Sequence, residues 1–205
     1  MKNISSTVQR VLIAMAFLVG NVYSAALPAP HQLVQESVDE VLAVVRQIDS
    51  TANIATEDVN EFLVTLEPVV AFDAIARAVV GSHGSALNDT QQSRFSEKFK
   101  RTMTRFYLES MVTFGVQDVT VRQPQDFDAS APRARVRMDA VDRRGNAYEI
   151  NYTMVNSDGQ WQMQNMIVDG VNVGLTYRNQ FDSAMSTNDG DVDRVIQNWE
   201  QFIEQ

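Results

Sequence analysis

The chain contains no cysteine, and this absence removes several classes of chemistry. Without cysteine there are no disulfide bonds, no thiolate nucleophile and no cysteine-ligated zinc. Histidine is almost as scarce, because His31 and His83 are the only two in the sequence. Two histidines cannot build a histidine-rich metal site. We expect no metal ion and no other cofactor.

An excess of positive charge is also missing. Acidic residues outnumber basic ones, and the formal net charge of the chain is −9. Nucleic acids and anionic membrane surfaces bind mainly to basic proteins. The composition therefore excludes nucleic acid as a partner and argues against an anionic membrane as the main one. Beyond the first thirty residues, no apolar run is long enough to span a membrane.

Residues 1–26 have the pattern of a secretory signal peptide. Lys2 and Arg10 form a basic start, which precedes a short apolar run and then a stretch of small residues and prolines. A membrane-spanning helix needs about 20 apolar residues, and this run is shorter. The length therefore favours a cleaved leader over the alternative, an uncleaved anchor.

Cleavage after Ser24 or Ala26 would release an exported protein with one domain over residues 27–205. A lipoprotein is excluded because no cysteine lies at the cleavage site. The leader carries two basic residues and no acidic residue, so its removal would change the formal charge from −9 to −11. The exported chain is long enough for a single domain with a sizeable core.

The first half of the exported chain has helical periodicity. Apolar residues recur at steps of three and four in four segments, which cover residues 31–48, 56–66, 71–80 and 88–115. Pro68 ends the second segment, and Gly81 is the expected C-cap of the third. Either Asn88 or Asp89 caps the start of the long fourth segment.

The second half changes to a period of two, which is typical of half-buried strands. Four runs show it, over residues 117–123, 133–140, 147–155 and 161–168. Glycine-containing turns join the second run to the third and the third to the fourth, and another helical segment follows Gly170. The predicted fold class is α+β, with a helical layer packed on a curved four-stranded antiparallel sheet.

The sequence does not decide which face of the last strand turns toward the helices. Alternation from Trp161 through Met163 to Ile167 assigns these residues to one face, which we expect to face the helices. However, Met166 and Val168 make the opposite face apolar as well.

The segment Gly81–Ser85, Gly-Ser-His-Gly-Ser, has two possible functions. A histidine between serines in a glycine-rich loop suggests a nucleophile and its base. A catalytic triad also needs an acid that orients the histidine and donors for an oxyanion, and the nearest acid, Asp89, is expected at the start of a helix. We therefore favour a joint between two helices over a catalytic loop.

Three blocks of sequence resemble the MlaC family, also called the toluene-tolerance auxiliary family. They are FDAIARAVVG, LNDTQQSRFSEKFKRTMTRFY and GQWQMQNMIVDGVNVGLTYRNQF, which occur in the family's order and spacing and extend the resemblance over about residues 35–205. The sequence departs from the family pattern before the long helix, where His83, Gly84 and Ser85 occupy positions that often hold an aromatic pair and an arginine. His83 thus lies where an aromatic ring packs in the family.

Members of the family are periplasmic lipid carriers of Gram-negative bacteria, and the resemblance implies a hydrophobic cavity between sheet and helices that takes phospholipid acyl chains. Six methionines on predicted apolar faces suit such a cavity, because methionine adapts to irregular contents. Composition alone favours an ordinary core as their explanation, and the family resemblance favours the cavity. The residues that we expect to line the cavity are Phe99, Met103, Phe106, Tyr152, Met154, Met163, Ile167, Val171 and Phe181. Arg178 is a candidate contact for a lipid phosphate, and a surface salt bridge or stacking on Tyr177 is the alternative.

The resemblance also implies a function without catalysis. The protein would carry phospholipid between an outer-membrane lipoprotein complex and an inner-membrane ABC transporter complex with its substrate-binding subunit. One alternative is a carrier of hopanoids or other polycyclic lipids. A less favoured alternative is a lipid hydrolase that uses Ser82, His83 and Ser85.

Overall fold

The computed structural model describes residues 29–48 and 53–203, so the leader predicted for residues 1–26 lies outside the described residues. The helices are α1 (Ala29–Gln47), α2 (Thr56–Leu66), α3 (Phe72–Val80), α4 (Asp89–Phe114), α5 (Val173–Thr187), α6 (Val192–Gln197) and α7 (Trp199–Ile203). The strands are β1 (Asp118–Val121), β2 (Arg133–Val141), β3 (Ala147–Ser157), β4 (Gln160–Val168) and β5 (Val171–Asn172). The predicted α+β class is confirmed.

The sheet is an antiparallel meander in the order β1-β2-β3-β4-β5. It has five strands, so the prediction of four was wrong by one. The additional strand, β5, has two residues, which is too few to show an alternating pattern. It returns along β4 through Asp169 and Gly170, whose φ angles of 46° and 83° are both positive and suit a two-residue hairpin turn.

The long helix α4 begins and ends at residues that the sequence identifies. Asn88 Oδ1 accepts the backbone N–H of Gln91 at 2.9 Å, and Gln91 Oε1 accepts the backbone N–H of Asn88 at 3.1 Å. This reciprocal capping box satisfies two N–H groups that have no partner within the helix. Gly115 ends the helix in the left-handed conformation, with φ at 61°.

The N-terminal half of α4 packs in a dense aromatic core with α3, α5 and α7. Phe95, Phe181 and Trp199 are fully buried in this core, and the ring centroid of Phe95 lies 4.9 Å from that of Phe181 and 5.2 Å from that of Trp199. Offset and edge-to-face contacts at these distances stabilise aromatic clusters beyond their buried area. The helical layer therefore has its own core and does not depend on the sheet for all of its packing.

The C-terminal half of α4 faces the sheet instead. Two further apolar clusters meet here, one from the helices around Phe62 and Leu108 and one from the inner sheet face around Val136 and Met154. Within residues 29–48 and 53–203, no helix is both long and apolar enough to cross a bilayer.

Strand β4 contains a β-bulge that changes which side chains face the helices. Met163 pairs with Met154 on β3, but Asn165 pairs with the next residue, Thr153, so Gln164 has no pairing partner. An extra residue of this kind bends the strand and reverses its alternation from that point.

Candidate functional site

A cavity of about 440 Å³ lies between the helical layer and the inner face of the sheet. This volume is in the usual range of small-molecule pockets. From the helices it is lined by Leu33, Val34, Val38, Val41, Phe99, Met103, Phe106, Tyr107, Met111 and Phe114. From the sheet it is lined by Val119, Met138, Ala140, Tyr148, Ile150, Tyr152, Met154, Met163, Met166 and Val168.

The sheet wall follows from strand register. Antiparallel pairing places Tyr152 opposite Val136 and Ile150 opposite Met138, and side chains two residues apart on a strand share a face. The helical wall follows from steps of three and four residues along α4, which bring Phe99, Met103 and Phe106 to one side.

Six of the nine expected lining residues contribute to the cavity wall, namely Phe99, Met103, Phe106, Tyr152, Met154 and Met163. All six methionines that the sequence places on apolar faces also line it, namely Met103, Met111, Met138, Met154, Met163 and Met166. Phe106 is 40% exposed and Phe114 is 59% exposed, so the cavity reaches the surface beside α4.

Three expected lining residues lie elsewhere. Ile167 pairs with Asn151 and points away from the cavity, because the bulge reverses the alternation after Met163. Val171 lies in β5 with 58% of its surface exposed, and Phe181 is fully buried in the aromatic core. The lining expectation was wrong at these three positions.

The helix α1 is the largest part of the wall that the sequence did not assign to the cavity. Its apolar face is visible as a helical stripe, but a stripe has the same pattern whether it meets side chains or an open space. The segment Val69–Phe72 was missed as well. Its backbone pairs with Met163, whose N–H donates to Val69 O at 2.7 Å and whose carbonyl accepts from Ala71 at 2.9 Å.

Few polar groups line the cavity, and several of them bond to one another. The hydroxyls of Tyr107 and Tyr152 pair across the space between α4 and β3, and burial raises the pKa of Tyr152 well above its usual value. The Asp142 carboxylate accepts from Asn146 Nδ2 at 2.8 Å and from the Tyr148 hydroxyl at 3.2 Å. These bonds, chiefly those from Asn146, lower the pKa of Asp142. Asp142 therefore stays ionised, and its carboxylate accepts its hydrogen bonds from residues of its own turn.

Arg178 is exposed and does not line the cavity. It lies one residue beyond Tyr177, which faces inward, and a step of one residue rotates a helical side chain by about 100°. Its side chain instead packs over Gly81, where an alanine methyl group would come within 2.7 Å of Arg178 Nε. The structure does not place Arg178 where it could contact a lipid in the cavity.

The Gly-Ser-His-Gly-Ser segment forms a 3₁₀ helix over Gly81–Ala86, and none of its residues lines the cavity. His83 Nε2 lies 3.0 Å from Asp182 Oδ1, and the imidazole packs on the ring of Phe181. Ser82 and Ser85 are exposed. Across the described part of the chain, neither serine hydroxyl bonds to His83, so a nucleophile and base are not assembled here.

Gly81→Ala tests the structural function of this joint. Gly81 has φ and ψ angles of 56° and −123°, a sparsely populated conformation that costs a residue with a side chain about 1–3 kcal/mol, and Arg178 would also have to move. We expect the melting temperature to fall by roughly 2–12 °C, measured by circular dichroism. Gly84→Ala is the matched control, because no atom lies within 4 Å of its added methyl group. Equal stability of the two variants would contradict this assignment.

No group of three or more histidine, aspartate or glutamate side chains in residues 29–48 and 53–203 is arranged to hold a metal ion. The cavity offers shape and apolar surface with a small number of polar groups, and the Asp142 carboxylate among them is already bonded within its own turn.

Comparison with known proteins gives consistent matches. The family model described as MlaC protein matches residues 35–201. The toluene tolerance protein ttg2D of Pseudomonas putida is 32% identical over 181 residues, which cover 86% of this chain and 82% of that protein. A solved structure of a phospholipid-binding protein from Ralstonia solanacearum, in complex with a phospholipid, matches with a TM-score of 0.69 at 21% identity, over 84% of this chain and 96% of that one. At this identity the structural match shows a common fold.

Proposed function

Because this chain belongs to the MlaC family, we propose that it is a periplasmic phospholipid carrier whose cavity holds the acyl chains of its cargo. The carrier takes lipid from one membrane and delivers it to the other without changing it. Its partners are an inner-membrane ABC transporter complex with its substrate-binding subunit and an outer-membrane lipoprotein complex.

The observation that carries this proposal is the apolar cavity between α4 and the sheet. Its wall consists mainly of methionine, phenylalanine, valine and tyrosine side chains from facing layers. Burial of an acyl chain contributes about 0.8 kcal/mol for each CH₂ group, so a chain of about 15 carbons contributes roughly 10 kcal/mol before the cost of ordering. A wall of this composition suits lipid tails and provides little to distinguish one head group from another.

The family relationship supports the same function. The related protein from Pseudomonas putida is named for toluene tolerance, and the protein from Ralstonia solanacearum that shares the fold is described as phospholipid-binding. Export through a cleaved leader over residues 1–26 would deliver the chain to the compartment in which such a carrier works.

Lipid turnover tests the carrier against the hydrolase. Purified protein is incubated with vesicles of dioleoyl phosphatidylethanolamine and dioleoyl phosphatidylglycerol, and the protein-bound and vesicle lipids are then separated and analysed by mass spectrometry. We expect intact phospholipid on the protein and no free oleate above the level of a protein-free control. Release of oleate would contradict the carrier.

Alanine variants of the 3₁₀ segment complete this test. Ser82→Ala, His83→Ala and Ser85→Ala are expected to carry as much phospholipid as the unaltered protein, because none of the three lines the cavity. A hydrolase activity that any of these variants abolishes would establish the enzyme. Recovery of hopanoids or other polycyclic lipids from cells, in place of phospholipids, would favour the other kind of carrier.

A further inference from the structure

Most polar side chains that line the cavity have their hydrogen bonds supplied by the protein. Ser37, Thr104 and Ser110 donate to the backbone carbonyl four residues earlier in their own helices, at 2.6, 2.8 and 2.8 Å. Tyr107 pairs with Tyr152, and Asp142 with Tyr148 and Asn146, as described above. These groups do not need a ligand to complete their hydrogen bonds.

Three polar groups in the wall differ from the others. Within residues 29–48 and 53–203, the carboxamide of Gln164, Nδ2 of Asn165 and the hydroxyl of Tyr177 make no hydrogen bond, although all three residues line the cavity. Burial raises the pKa of Tyr177 to about 12, so its hydroxyl is protonated and can donate. None of the three is among the polar atoms that are sealed from water without a partner, so in the empty cavity they are open to water. Acyl chains that displace this water would leave the three donors without acceptors, which is costly, unless the lipid itself supplies them.

The three groups belong to one region of the wall. Gln164 and Asn165 are adjacent at the bulge in β4, and Asn165 Oδ1 accepts the backbone N–H of Gly174 at 3.3 Å. Gly174 lies in the first turn of α5, and Tyr177 follows three residues later on the same side of that helix. The bulge in β4 thus lies beside the start of α5, and the donor groups of these two elements belong to the same part of the cavity wall.

The bulge also explains why Gln164 reaches the cavity. Regular alternation after Met163 would turn the next side chain to the outer face, but the unpaired Gln164 is contributed to the wall instead. Bulges commonly redirect a side chain next to a functional site.

We propose that Gln164, Asn165 and Tyr177 form a subsite for the ester carbonyl oxygens of an acylglycerol lipid. This inference rests on the proposed function and adds to it the chemistry that the cavity recognises. Amide N–H and phenol O–H groups are uncharged donors, which match carbonyl acceptors. A charged phosphate would call for a cation, and Arg178 lies on another side of α5. The subsite thereby sets the depth to which the acyl chains enter.

The test compares an ester-linked lipid with an ether-linked one, since the ether analogue has the same chains and head group but no carbonyl. The two probes are dioleoyl phosphatidylglycerol and its di-O-oleyl ether analogue, which compete for delipidated protein in native mass spectrometry. The unaltered protein is expected to prefer the ester by about three- to tenfold, the range for one or two neutral hydrogen bonds. Gln164→Leu and Tyr177→Phe are each expected to reduce this preference, and the double variant to abolish it.

Gln160→Leu is the matched control, because Gln160 lies on the same strand, is exposed and does not line the cavity. It is expected to keep the full preference for the ester. Equal binding of both lipids by the unaltered protein would overturn the subsite and leave the carrier function intact, as would an undiminished preference in the double variant. Failure to bind either lipid would contradict the carrier function itself.

Discussion

Met163→Asp is expected to give a folded protein that purifies with little or no lipid. Met163 faces Met154 in the cavity wall, and its position in the sheet is fixed by backbone bonds to Val69 and Ala71 that do not involve its side chain. An aspartate here can be hydrated by water that enters the lipid-free cavity. The acyl chains cannot share the space with a hydrated carboxylate, because burying an unpaired charge costs several kcal/mol.

Val136→Asp is the contrasting variant. Val136 is fully buried on the same inner sheet face but does not line the cavity. Its carboxylate would have no space for water, so we expect a loss of several kcal/mol of stability and little folded protein. Circular dichroism melting and lipid extraction on the same preparations distinguish the two results. If Met163→Asp is folded and carries a full load of lipid, the cavity is not where the cargo binds.

Phe181→Ala is expected to destabilise the protein by about 3–5 kcal/mol, as is usual for a buried phenylalanine. The ring is fully buried between Phe95, Trp199 and His83, with centroid distances of 4.9, 5.8 and 5.8 Å. For a chain of this length, the melting temperature should fall by roughly 6–20 °C. The protein that remains folded should still bind lipid, since Phe181 belongs to the aromatic core.

Phe106→Ala should show the opposite behaviour. Phe106 is 40% exposed and lines the cavity, so its removal should change the melting temperature of the lipid-free protein little and weaken lipid binding. Thermal melting of delipidated protein and lipid content after reloading measure the two effects separately. A lipid-binding defect in Phe181→Ala without loss of stability would show that the aromatic core is part of the site.

The fold could largely be predicted from the sequence because its elements are long and strongly periodic. The cap predicted at Asn88 or Asp89 and the end predicted near Gly115 define α4 within a residue, and alternating residues give the inner faces of β2 and β3. The two-residue strand β5 could not be predicted, because its pairing depends on the turn at Asp169 and Gly170 and on the neighbouring edge of β4.

The cavity was harder to predict than the fold. A strand's period gives its inner face only while the pairing is regular, and one extra residue, Gln164, reversed the assignment of Ile167. The apolar face of a strand or a helix has the same sequence pattern whether it meets other side chains or an empty space. Phe99 and Phe181 illustrate the limit, because both are buried aromatic residues on helices and only Phe99 reaches the cavity.

Native mass spectrometry of the protein, purified from its host without detergent, is the most direct test of lipid carriage. We expect protein with added mass equal to intact glycerophospholipid, with head groups in about the proportions of the host membrane, and protein of unmodified mass for Met163→Asp. Unaltered protein that carries no lipid under these conditions, or that carries only polycyclic lipid, would contradict the proposed phospholipid carrier.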